Sequence, residues 1–219
     1  MLTGRSRGGQ MEVIGSKQAP LGAVLVIHSW WGLTGSFRAY GQALAEAGYL
    51  VGLADLFDGQ TASTETEARA LRTHARTVPI YKRLGADCAK LTDMAAKSPA
   101  KIGVVGFSMG GHWAVWLSQR PEYRVAATAL YYAARGGDFS RCRASVIAHF
   151  AGHDPWVSAA GRKTMERAIR KAGVGYRAHD YPDCGHWFAE SARPRDFDAA
   201  AAQLALGRDL DHVQRHLGA

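Results

Sequence analysis

The 219-residue chain holds three cysteines, Cys88, Cys142 and Cys184, an odd number with no Cys-x-x-Cys spacing. That scarcity excludes a disulfide-stapled scaffold and a cysteine zinc site. It fits a reducing compartment. Long apolar runs are also lacking. The longest are stretches such as Ala23–Ile27, far short of the ~20 residues that span a bilayer, so no membrane partner is expected. Residues 1–10 are basic and glycine-rich with no apolar segment behind them, and they read as a disordered tail rather than a signal peptide. Residues 11–219 then form one domain, with no internal repeat or interdomain linker. A net charge of +8 raises the question of nucleic acid. The basic residues are nevertheless scattered (Arg69, Arg83, Arg162 and Lys171 among them) without a long run or an aromatic-basic repeat. A solvated basic surface is the expected outcome, with no nucleic-acid partner.

What the chain does have is alternation. Apolar, β-branched runs at Ala23–His28, Tyr49–Ala54, Ile102–Phe107, Val125–Tyr131, Ser145–Ala151 and Tyr176–Tyr181 read as strands. Helix-period segments lie between them, at about Phe37–Ala47, Glu65–Arg76, Leu84–Lys97, Gly110–Gln119 and Ala159–Ala172, with a last helix near Arg195–His216. Met11–Ile14 adds a candidate edge strand. Continuous apolar strands joined by helical crossovers predict an α/β domain with a mostly parallel sheet of about seven to eight strands, covered on both faces. Only Tyr132–Ala144 separates two of the strands, and thirteen residues are too few for a lid domain.

The segment Lys101–Gly111 is the most informative. Ile102–Val105 leads into Gly106-Phe107-Ser108-Met109-Gly110, and a helical segment follows. Strand, sharp turn and helix around G-x-S-x-G form the pattern of a nucleophile elbow, the mark of the α/β-hydrolase fold. The bare pentapeptide arises by chance in many chains, so its partners matter. Serine needs a base to take its proton and a third group to orient that base. In the order serine, acid, histidine, Asp154 follows the strand Ser145–Ala151 and His186 follows Tyr176–Tyr181, both at carboxyl ends of parallel strands. Competitors are weaker. His28 precedes the elbow and is expected to shape the oxyanion loop, His153 adjoins the proposed acid, and His149 lies inside a strand. Asp183 shares the loop of His186, Asp55 has a structural alternative, and Cys184 reads as a small buried thiol. Met109 and Trp30 are the expected backbone donors of the oxyanion hole. Trp30, Trp31, Trp156 and Trp187, four of the six tryptophans, fall in these loops and point to an aromatic pocket wall.

These features resemble the dienelactone hydrolase family of α/β-hydrolases. The likeness rests on His28-Ser29-Trp30-Trp31-Gly32, Ala54-Asp55-Leu56-Phe57, the elbow with Gly111, Gly152-His153-Asp154 and Gly185-His186-Trp187-Phe188, and runs from about residue 11 to the last helix. The resemblance implies a lidless single domain, typically cytoplasmic, that hydrolyses small esters or lactones without metal or organic cofactor. It implies Ser108, Asp154 and His186 as triad, with Met109 and Trp30 as oxyanion donors. The chain also departs from the founding members. Ser108 replaces their cysteine, Ser29 replaces a glutamate, and Glu190 stands where an arginine holds the substrate carboxylate. Arg69, Arg72 and Arg76 lie in the region of a second such arginine. With Ser29, Trp31, Trp156, Trp187 and Glu190 as substrate-binding candidates, and Glu190 expected to repel a carboxylate, a neutral ester or lactone is the expected substrate. A thioesterase on the same triad, or a non-catalytic ligand-binding member of the fold, is the alternative. A monomer or small homo-oligomer is expected.

Overall fold

The computed structural model describes residues 10–75, 79–95 and 101–218. The expected tail at 1–10 therefore lies outside the described residues except for Gln10, as do Arg76 and Lys97. Among the described residues, seven strands form one sheet: β1 (Glu12–Ile14), β2 (Ala23–Ile27), β3 (Leu50–Ala54), β4 (Ile102–Phe107), β5 (Val125–Tyr131), β6 (Ser145–His153) and β7 (Tyr176–Gly185). Their order is β1-β3-β2-β4-β5-β6-β7. Only β1 runs antiparallel, pairing Val13 with Gly52 of β3, and every other neighbouring pair is parallel.

The period-2 alternation within the strands divides the apolar core into two layers. Leu25, Ile27 and Val104 face one layer with Leu84 and Leu91 of α3 (Pro79–Met94), Ala114 and Leu117 of α4 (Met109–Ser118), and Met165 and Ile169 of α5 (Ala159–Lys171). Val24, Val26 and Val105 face the other, with Phe37 and Leu44 of α1 (Gly35–Glu46) and Ala205 and Val213 of α6 (Ala199–Leu217). A fully buried strand such as β2 has to be apolar on both faces, which is why Ala23–Ile27 shows no polar alternation.

α2 (Glu65–His74) starts with a capping box: the Thr64 side chain accepts from the Glu67 amide, and the Glu67 carboxylate accepts from the Thr64 amide. α3 begins at Pro79, earlier than the expected Leu84, because proline is suited to the first helical turn and Ile80 already packs into the core. β6 and β7 run beyond Ala151 and Tyr181, to His153 and Gly185, through a register shift between Ala151 and His153. The loop from Tyr132 to Ala144 contains no helix or strand. Among the described residues, no helix is long and apolar enough to cross a membrane.

Between β3 and β4 the chain crosses from one side of β2 to the other. The crevice beyond the carboxyl ends of β2 and β4 is therefore the switch point where open α/β sheets hold ligands.

Candidate active site

Ser108 ends β4 and caps α4 with φ 51° and ψ −113°, a strained conformation for a residue with a Cβ. Its surroundings enforce the turn. The Ser108 amide donates to the Tyr131 carbonyl at 2.9 Å, and the Ser108 carbonyl accepts from the Gly111 amide at 2.9 Å. A Cβ at Gly110 would lie 2.3 Å from the Ile27 carbonyl oxygen, and one at Gly106 would lie 2.5 Å from that of Gly110. The elbow thus packs backbone to backbone against the end of β2, and only glycine permits it.

Ser108 Oγ lies 2.8 Å from His186 Nε2. His186 Nδ1 lies 2.8 Å from both carboxylate oxygens of Asp154. With the proton on Nδ1 donated to Asp154, Nε2 is left as the acceptor facing Ser108. Asp154 Oδ1 in turn accepts from the amides of Trp156 and Val157, at 2.8 and 3.1 Å, which fixes the carboxylate. The His186 and Asp154 side chains are almost fully buried. The Tyr132 ring packs 4.8 Å from the imidazole, and Trp187, itself at φ 71°, crosses it edge-on at 4.9 Å. Ser108, Asp154 and His186 are therefore brought together as expected, while Asp183 and His153 are exposed and remain apart from the imidazole.

The His28–Gly32 loop follows β2 directly. His28 is fully buried, and burial holds its pKa down to about 4. Its Nε2 accepts from the Leu56 amide at 3.0 Å, so its Nδ1 carries the proton donated to the Ser29 carbonyl at 2.5 Å. A neutral imidazole thus braces the loop from below, the structural part expected of it. Asp55 accepts from the amides of Phe57 and Gly59 and shapes the neighbouring turn.

Ser108 opens onto a cavity of about 290 Å³, walled by Trp30, Trp156, Trp187, Trp113 and Met109, with Ile80 and His112 beside them. Trp30 and Trp187 stack with centroids 6.0 Å apart, and Trp156 meets Trp30 edge-on at 5.2 Å. α2 supplies the cationic side. Arg72 lines the cavity, and the Arg69 guanidinium lies 5.5 Å from the Trp30 ring and 5.9 Å from that of Trp156. Burial, with help from Arg135 and Arg72, lowers His112 to about 4.

Three of the expected wall residues do not line the cavity. Trp31 is buried, with Arg193 stacked 3.7 Å from its ring. Ser29 and Glu190 form a buried pair: the Ser29 hydroxyl donates to Glu190 Oε2 at 2.8 Å, and the Tyr132 hydroxyl donates to Oε1 at 2.9 Å. Glu190 is 1% exposed, and burial raises its pKa to about 8. A protonated carboxyl enclosed behind the wall repels no substrate, so the expectation of a neutral substrate loses its basis. His112 and Trp113 were missed, although their signal was present. They lie one helical turn beyond Ser108, where an elbow helix faces its own site. Among the described residues, no three His, Cys, Asp or Glu side chains cluster as a metal site.

Comparison with known proteins agrees with this architecture. A Bradyrhizobium sp. protein named "Probable 2-oxo-3-(5-oxofuran-2-ylidene)propanoate lactonase" is 23% identical over 211 residues, covering 90% of this chain and 85% of its own. A dienelactone hydrolase-like promiscuous phosphotriesterase from metagenomic libraries superposes with a TM-score of 0.79 at 16% identity, covering 91% of this chain and 88% of that one. Dienelactone hydrolase from Anabaena variabilis superposes at 0.61 with 19% identity, covering 93% and 90%. The profile of the dienelactone hydrolase family matches residues 11–217. The chain belongs to the dienelactone hydrolase family and is a carboxylic ester hydrolase.

Proposed function

We propose that the protein is a serine hydrolase that cleaves a small carboxylic ester or lactone through an acyl-enzyme on Ser108. The observation that carries this reading is the unbroken hydrogen-bond chain from Ser108 Oγ through His186 to Asp154, with each link at 2.8 Å. His186 Nε2 takes the hydroxyl proton as Oγ attacks the carbonyl carbon, and Asp154 stabilises the imidazolium that forms. The resulting oxyanion is held by the amides of Met109 and Trp30, a role supported by the close packing of Gly110, next to Met109, on the Ile27 and His28 carbonyls that lead into the Trp30 loop. Collapse of the tetrahedral adduct expels the alcohol oxygen, which receives the proton from His186. Water then enters by the same route and hydrolyses the acyl-serine.

The cavity supports a small, flat substrate, because four of its eleven lining residues are tryptophans. Arg72 supports one that carries a carboxylate. The lactone in the name of the Bradyrhizobium relative is a propanoate, which matches such a wall. The three cysteines are free and buried, in keeping with a reducing cytoplasm.

The test is Ser108→Ala assayed on p-nitrophenyl acetate and on a carboxylate-bearing enol lactone, with fluorophosphonate labelling of the unaltered protein. Turnover is expected to fall by at least about 1000-fold, with the label on Ser108. Undiminished hydrolysis, or a label elsewhere, overturns the assignment. A panel of acyl thioesters separates the thioesterase alternative: faster turnover there than on every oxygen ester reassigns the substrate.

A further inference from the structure

Away from the elbow lies a second cavity, of about 350 Å³, between the amino-terminal ends of β6 and β7 and the outer flank of α6. The catalytic candidates lie at the opposite, carboxyl ends of those strands, so the two cavities share no residue. The alternation of β7 puts Arg177 and His179 on one side of the strand, and the helical spacing of Arg208, His212 and Arg215 puts them on one flank of α6. All five line the cavity.

Its charge is one-sided. Arg177, Arg208 and Arg215 make no salt bridge with a carboxylate among the described residues, and Asp211 is the one acidic side chain in the lining. Burial lowers His179 and His212 to about 4, with Arg208 adding to the effect on His179 and the hydrogen bond to Ser145 opposing it on His212, so at neutral pH the arginines supply the positive charge. The Arg208 guanidinium is held in place by donating to the Tyr181 hydroxyl at 3.0 Å, with other donors left free. His212 is buried and spends Nε2 on the Ser145 carbonyl at 3.0 Å.

An ordinary role accounts for part of this set. Arg215 and His216 occupy the last turn of α6, where cations offset the helix dipole. That role does not cover Arg177 on the edge strand, nor Arg208, about two turns earlier. Three arginines that line one concavity without a salt bridge among the described residues offer fork-shaped donors suited to the oxygens of a phosphate group.

We propose that this cavity is a binding site for a small, multiply charged phosphate-type anion, separate from the ester-cleaving site. The probe is inorganic pyrophosphate, titrated calorimetrically at constant ionic strength into the full chain. One saturable site is expected. Arg177→Gln/Arg215→Gln is expected to weaken it by about tenfold for each arginine removed while leaving ester hydrolysis unchanged. Arg177→Lys/Arg215→Lys keeps the charge without the fork and is expected to fall between. Arg72→Gln, in the other cavity, is expected to bind pyrophosphate as the unaltered protein does. No saturable binding, equal binding by the glutamine variant, or loss confined to Arg72→Gln overturns the proposal. Retention on phosphatidic acid vesicles without binding of free pyrophosphate also overturns it, since that describes a flat basic surface rather than a cavity.

Discussion

Glu190 is the residue whose chemistry departs furthest from that of a surface glutamate. Its carboxyl holds the Ser29 and Tyr132 hydroxyls from within a fully buried site, and burial raises its pKa from 4.5 to about 8 despite those two donors. Ser29 Oγ also accepts from the Trp31 amide at 3.3 Å, so the carboxyl pins the loop that carries the proposed oxyanion donor Trp30. An acid that binds its proton more tightly when folded stabilises the fold fully below its unfolded pKa. That stability drains away as pH rises toward the folded value. His28, His112, His179 and His212, all lowered to about 4, act in the opposite sense between there and 6.5. The informative quantity is therefore the difference between proteins. Glu190→Gln reproduces the shape of the protonated carboxyl, and its stability relative to the unaltered protein is expected to increase steadily from pH 5 to pH 8, by an order of a few kcal/mol. Urea unfolding at several pH values measures this. A difference that stays flat would mean that Glu190 is ionised in the folded protein.

The elements were legible where their reason is local, and less so where it is long-range. β2 to β6 read correctly because burial on both faces forces continuous apolar runs, and Ser108 and Asp154 were legible because each follows such a run. β7 is largely exposed, and His186 was legible instead from its place after a strand in the order serine, acid, histidine. The start of α3 was missed because Tyr81, Lys82 and Arg83 break up its apolar pattern, although Pro79 signals a first turn. Glu190 and Trp31 were misplaced because sequence distance does not show which side of a wall a loop residue takes. The docking of α6 was equally hidden. Asp209, on its buried face, accepts from Tyr40 at 2.8 Å, from Tyr131 at 2.5 Å and from His149 Nε2 at 2.8 Å. His149 Nδ1 accepts from Tyr181, and Tyr181 accepts from Arg208. One carboxylate thus ties α6 to α1, β5 and β6, and every member of the chain has a partner. Asp209→Ala leaves three buried donors without an acceptor and is expected to cost about 3–5 kcal/mol in urea unfolding, with Asp209→Asn losing less. A loss below about 1 kcal/mol would show that apolar packing alone seats the helix.

At the scale of the molecule, the site is shaped by what the chain leaves out. Residues 132–144 pass from β5 to β6 without a helix or strand, and none of them lines the cavity at Ser108. The walls instead come from loop tryptophans, from α4 and from α2, whose entry is fastened by the Ala62 amide donating to the Trp31 carbonyl at 3.0 Å. Trp156 remains 47% exposed at the rim of the cavity. A hydrolase that must lift a cover to reach an aggregated lipid gains activity when substrate passes its solubility limit, because the interface favours the open state. With no such element among the described residues, a dissolved ester and an emulsified one should meet the same site. Initial rates on tributyrin are therefore expected to saturate smoothly through its solubility limit, with no step there, and to be exceeded by those on fully dissolved p-nitrophenyl acetate. A jump of several-fold at the limit would identify α2 as a movable cover and would make the open cavity one of two states.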